Sequence, residues 1–237
     1  MLPVVILTVV CMLTYSFEIV FGLAGTILML PLLSFWFDAK TLVIYSTLPQ
    51  ILVGGIGLAR SPRTVELAFL GKMLGFATLG GVAGLYLFYQ FSTTVFHYLL
   101  AGVITLFGLY LVIAPGRLTL SPLAARALDT LAGVSQALFG ISGPIAMTRL
   151  MGSFPDKTVV RNYALAFFLC LNLFRAGGYV VNATFSREIL VMMLVSGPFL
   201  ALALWFANHL HFKLNERLFR GVVAWIILGG GISLFFR

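Results

Sequence analysis

The sequence predicts an all-α integral membrane protein of two inverted repeats, each an interrupted helical hairpin plus three transmembrane helices. Three observations predict it. Of 237 residues, 61% are hydrophobic and 9% charged, with a mean hydropathy of +1.08, whereas soluble domains carry about 25% charged residues. A glycine-punctuated apolar segment occurs twice: Glu18, Phe21, Gly22, Gly25 and Thr26 return as Gln136, Phe139, Gly140, Gly143 and Pro144. The basic residues sort to one side of a membrane only if both of these segments turn back on themselves.

Apolar segments run over 3–36, 40–59, 64–90, 93–114, 124–152, 157–181, 186–212 and 216–236, taking about 20 residues per crossing. The first lacks a basic leader region and reads as a retained helix rather than a cleaved signal peptide. Segments 3–36 and 124–152 exceed one untilted crossing, and both carry glycines near the middle. The others read as plain helices. The repeat extends beyond the glycines. Asp38, Lys40 and Thr41 resemble Asp156, Lys157 and Thr158, Arg63 and Glu66 precede a helix as Arg187 and Glu188 do, and 96–108 aligns with 219–231. The expected division is 1–120 and 121–237, with the joint at Ser121–Ala125, both halves forming one transporter domain.

Charge decides the topology. If every segment crossed once, six basic residues would face one side and seven the other. If the interrupted segments are hairpins, one side holds Arg60, Arg63, Arg117, Arg126, Arg149, Lys157, Arg161, Lys213, Arg217 and Arg220. The other holds Lys40, Arg187 and Arg237. Ten against three follows the positive-inside rule. Each half then has an odd number of crossings, so the halves are inverted and both termini are expected outside. Re-entrant and fully spanning hairpins have the same parity, and both stay open.

Irregular backbone survives in a bilayer only where protein or a watery cavity satisfies it. The breaks at 22–26 and 140–144 should therefore face the interior. Each precedes a half-helix whose free N–H groups and positive dipole end suit an anion. Pro144 fits a first helical turn, and Ser142 can cap it. Two inverted halves bring two such ends together near the midplane, a pattern that points to a secondary transporter. The alternative is that the glycines only let helices pack closely.

The stretches Phe21-Gly22-Leu23-Ala24-Gly25-Thr26-Ile27-Leu28-Met29-Leu30-Pro31 and Phe139-Gly140-Ile141-Ser142-Gly143-Pro144-Ile145-Ala146-Met147 resemble the twin glycine motifs of the sulfite exporter (TauE/SafE-type) permeases. Arg217 to Arg220 before a glycine-containing helix is similar to the end of that family. The resemblance covers essentially the whole chain. It implies transport of sulfite, sulfonates or other small organosulfur anions across the cytoplasmic membrane. Ala24, Thr26, Ser142 and Pro144 stand where the family commonly has more glycines, and Arg149 stands where the first copy has Pro31.

The candidate substrate-binding residues are Gly22, Gly25, Thr26, Gln50, Gly140, Ser142, Gly143, Asn172 and Arg175. Gln50 and Asn172 are amides on the helices that follow the two hairpins, able to bind an oxyanion or to join helices. Arg175 offers bidentate oxyanion recognition, but two turns from a helix end it can also snorkel. Glu18, one turn before the first break, is the proton-coupling candidate; a hydrogen-bonded structural glutamate is its alternative. Lys72 reads as snorkelling, and Tyr45, Tyr163 and Trp36 as belt, core or pocket. His97, His209 and His211 read as interfacial, and Cys11 and Cys170 lie inside apolar stretches. No metal and no cofactor are expected.

Several functions compete. An anion channel has the same architecture. The Gly140-Ile141-Ser142-Gly143 stretch superficially matches an intramembrane serine protease, but Ser142 has no deep histidine base, and Ala24 stands at its counterpart. No phosphate-binding loop is present, so ATP hydrolysis is not expected. Singly scattered basic residues argue against nucleic acid. The expected partners are a small sulfur-containing anion, lipid, a coupling proton or cation, and a second copy of the chain as a homodimer.

Overall fold

The computed structural model describes residues 2–22, 25–59, 65–113, 120–209 and 216–236, without the side chains of 216–220. Ala24, Arg60, Arg63, Arg117, His211, Lys213 and Arg237, and the side chains of Arg217 and Arg220, lie outside the described residues, and with them much of the charge argument. The described residues are helical apart from short turns: α1 (Leu2–Phe21), α2 (Gly25–Leu33), α3 (Ala39–Tyr45), α4 (Thr47–Ala59), α5 (Leu67–Gln90), α6 (Thr93–Ile113), α7 (Pro122–Phe139), α8 (Gly143–Met151), α9 (Lys157–Val181), α10 (Arg187–His209) and α11 (Glu216–Leu234). Six spans among them are long and apolar enough to cross a membrane, 39–59 counting as one. The chain is a multi-pass, all-α membrane protein.

Both interrupted segments break at a left-handed glycine. Gly22 has φ +75° and Gly140 φ +70°. Each donates its N–H back to the carbonyl four residues earlier, Glu18 at 2.7 Å and Gln136 at 2.9 Å. A left-handed residue ends a helix by satisfying its last carbonyls, and glycine does so without a Cβ clash. After the first break the chain reverses. Tyr15 OH lies 2.9 Å from Thr26 Oγ1 and 3.6 Å from Met29 Sδ, so α2 runs back along α1. Helix α8 likewise packs on α7.

Segment 40–59 is not the plain helix expected. It forms α3 and α4 in succession, meeting at Ser46, which keeps helical angles (φ −56°, ψ −18°). Pro49 is the cause, since it has no N–H to give the Tyr45 carbonyl. Asp38 and Asp156 hold matching N-caps, accepting from Thr41 N and from Thr158 N and Val159 N.

The helices pack through small residues. A Cβ on Gly80 would collide with the Thr130 carbonyl, and one on Gly133 with the Ala77 carbonyl, so α5 and α7 touch backbone to backbone. Gly231 meets Thr105 and Gly108 meets Leu228 where α11 crosses α6, and Gly54 meets Leu169 where α4 crosses α9. In these helices the close-packing reading of glycine holds. Helix α1 packs on α10 as α7 packs on α5, while α4 with α9 and α6 with α11 pair across the halves. The packing of α2 departs from this exchange. Helix α2 packs on α11, with Pro31 against Gly230. Between α6, α7 and α8 lies an apolar cavity of about 590 Å³, lined by Phe107, Tyr110, Leu131 and Ile145 among others.

Candidate functional site

The two half-helix N-termini meet at one small cavity of about 20 Å³, room for roughly one water molecule. Gly25, Thr26 and Ile27 of α2 line it, as do Ser142, Gly143 and Pro144 at the start of α8; Glu18, Gln50, Gln136 and Gly140 complete the polar lining. Gln50 lies near the middle of span 39–59 and Asn172 past the middle of α9. The site is therefore well inside the bundle.

A network of amides ties the two breaks together. Gln50 Nε2 donates to Thr26 Oγ1 at 2.7 Å and to the Gly140 carbonyl at 2.9 Å. Gln136 Nε2 donates to Gln50 Oε1 at 2.9 Å and to Asn172 Oδ1 at 3.1 Å. Ser142 Oγ donates to Gln136 Oε1 at 2.6 Å. Ser142 holds the N-cap position of α8 but makes no side-chain cap bond. The expected cap is thus replaced by a bond to Gln136, which holds the hydroxyl close. Pro144 sits in the first turn, as expected.

Arg175 does not snorkel. It is 0% exposed. Its Nη1 donates to the Gln136 carbonyl at 3.1 Å, and its Nη2 to Ser46 Oγ at 2.9 Å and Gln50 Oε1 at 3.2 Å. The Tyr179 ring lies 5.9 Å from its Cζ. Among the described residues Nε has no hydrogen-bond partner and no carboxylate forms an ion pair with Arg175. A cation taken out of water without an ion pair is costly, and an arriving anion relieves that cost. Glu18, 4% exposed, lies against the backbone N–H groups of Gly25 and Thr26; its Oε2 has no hydrogen-bond partner among the described residues.

Of the expected residues, Gly25, Thr26, Gln50, Gly140, Ser142, Gly143 and Glu18 line the cavity. Asn172 and Arg175 stand behind it, bonded to its lining. Gly22 does not line it. It caps α1 beside the Arg161 stem and Ala164. Tyr45 and Tyr163 are core, with Tyr45 OH 2.6 Å from Ser196 Oγ, and Trp36 is 49% exposed. His97 Nε2 lies 2.8 Å from the Leu234 carbonyl, His209 stays exposed beside Trp205, and Lys72 is exposed.

Three contributors were not expected: Ser46, Tyr15 and Arg161. Pro49 inside an apolar segment is the signal that leads to Ser46. Arg161, counted above only as a surface charge, is half-buried and donates from Nε (2.9 Å) and Nη2 (2.6 Å) to the Ile19 carbonyl. Arg161 and Arg175, both on α9, thus each hold a carbonyl in the last turn of one hairpin's first helix. A cation is favourable at that negative end.

A model of the family described as "Sulfite exporter TauE/SafE" matches residues 7–234. No curated protein and no solved structure matches.

Proposed function

The chain belongs to the sulfite exporter TauE/SafE family, and from that premise we propose that it moves sulfite, a sulfonate or another small organosulfur anion as a secondary transporter. A family of membrane transporters of sulfur anions implies a small anionic substrate and argues against an enzyme. The finer reading is export across the cytoplasmic membrane with both termini outside. Expelling an anion from a negative interior is downhill in the membrane potential.

One observation carries the site: Arg175, buried and without an ion pair among the described residues, stands behind a cavity at which two half-helices begin. The anion binds there, facing the N–H groups of α8, with Ser142, Gln50 and Asn172 as polar partners and Arg175 as the counter-charge. The paired left-handed glycines and the exchanged helix packing support two inverted repeats, 1–120 and 121–237. Alternating access then follows from one hairpin shifting against its neighbours. The apolar cavity beside α8 gives the second hairpin room to move, whereas α2 is packed on α11. A cavity of about 20 Å³ supports a transporter over an open channel. Glu18 is the group through which a proton is coupled, and a homodimer buries part of the broad apolar flank.

Uptake of radiolabelled sulfite and of a small sulfonate into proteoliposomes tests this, comparing the native chain with Gly143→Leu. Saturable uptake abolished by the leucine is the expected result. No uptake of either anion by folded, inserted protein rejects the substrate class.

A further inference from the structure

The two ends of the site differ, and the difference has chemical content. At the α2 end a carboxylate is already in place. Glu18 lies against the N–H groups of Gly25 and Thr26, the position an anion takes at a helix N-terminus. The fit depends on glycine, because a Cβ at Gly25 would collide with Glu18 Oε2 and come within 2.6 Å of Tyr15 Cδ1. At the α8 end the corresponding residue is neutral Gln136. Its oxygen accepts from Ser142, and its nitrogen donates to Gln50 and Asn172.

We infer that Glu18 is a built-in competitor of the substrate: its carboxylate holds the N-terminus of α2, and the arriving anion displaces it. This deepens the proposed function and rests on it. Both helix ends line the same cavity of about 20 Å³, the space of one water molecule. An oxyanion of four or more heavy atoms enters only if a lining group moves. Glu18 is the acidic side chain on that lining, it carries the substrate's own sign of charge, and its Oε2 has no hydrogen bond to lose among the described residues. An arriving anion therefore repels it more than any neutral group of the lining. On its return it refills the α2 terminus and expels the anion, which remains held in the meantime at α8. Glu18 therefore acts in the release step, and the anion's fixed contacts, Gln50 apart, lie in the second half of the chain.

Equilibrium binding of radiolabelled sulfite to the purified full-length protein decides this, using the native chain, Glu18→Gln and Glu18→Ala, with thermal unfolding as a check on folding. Both variants are expected to bind at least about tenfold more tightly, and to turn over more slowly in proteoliposomes. Affinity that is unchanged or weaker in both variants, with the native chain binding, overturns the competitor and leaves the anion site standing. No binding of sulfite or of a small sulfonate by any of the three overturns the anion site itself, and the competitor with it.

Discussion

Gln50 on α4 donates from Nε2 to the Gly140 carbonyl at 2.9 Å, so a side chain of the first half satisfies the helix break of the second. The same nitrogen reaches Thr26 Oγ1, and Gln50 Oε1 accepts from Gln136 and Arg175. One buried amide thereby holds both hairpin tips and the buried cation in a fixed relation.

Gln50→Leu keeps the bulk and removes every one of those bonds. A buried group left unsatisfied costs about 1–3 kcal/mol. The variant should unfold at lower temperature in detergent, and its sulfite uptake in proteoliposomes should fall at least tenfold.

Arg175→Lys should lose transport nearly as fully as Arg175→Ala. The guanidinium serves three acceptors at once, the Gln136 carbonyl, Ser46 and Gln50. A single ammonium lacks the planar fork that meets them. Initial uptake rates of the two variants provide the comparison; a lysine variant within about twofold of the native rate contradicts the arrangement.

Gly140→Ala places a Cβ on a left-handed residue and drives it into Arg175 Nη1. The backbone cost alone is about 1–2 kcal/mol. Gly55→Ala is the control, because nothing lies within 4 Å of its added Cβ. Thermal unfolding and uptake should both drop for the first and hold for the second.

Asp156 caps α9 at the membrane edge. Its carboxylate accepts from the N–H groups of Val159 and Thr158, which hold its pKa below the ordinary aspartate value. A depressed carboxylate stabilises above its unfolded pKa, about 3.9, and that stability is lost as pH falls through the folded value. Unfolding temperatures of the native chain and Asp156→Ala should therefore differ at pH 6 and converge as pH drops below about 4.

Much of the site was legible in the residues. Gly25, Thr26, Gln50, Gly140, Ser142 and Gly143 share one cavity because the chain repeats its break, and a repeated break implies repeated placement. Arg175 was legible as a candidate but not as a buried group. Its distance from the helix end allows both snorkelling and burial, and Gln136, Ser46 and Gln50, each distant in sequence, decide between them. Arg161 was read as a surface charge for the same reason: its carbonyl partner, Ile19, lies on another helix.

Composition, periodicity and duplication by themselves determined that the chain is an all-α membrane protein and where each break falls. Those properties follow from the solvent and from local backbone chemistry, since an apolar stretch must be helical in lipid and a left-handed residue requires glycine. The tertiary structure alone decided which donors are already engaged and which charges are unpaired. It turned Ser142 from a helix cap into a partner of Gln136, and it set the Glu18 carboxylate against the N–H groups of Gly25 and Thr26. Such pairings join residues from four or more helices, and their energies depend on distances that only packing sets.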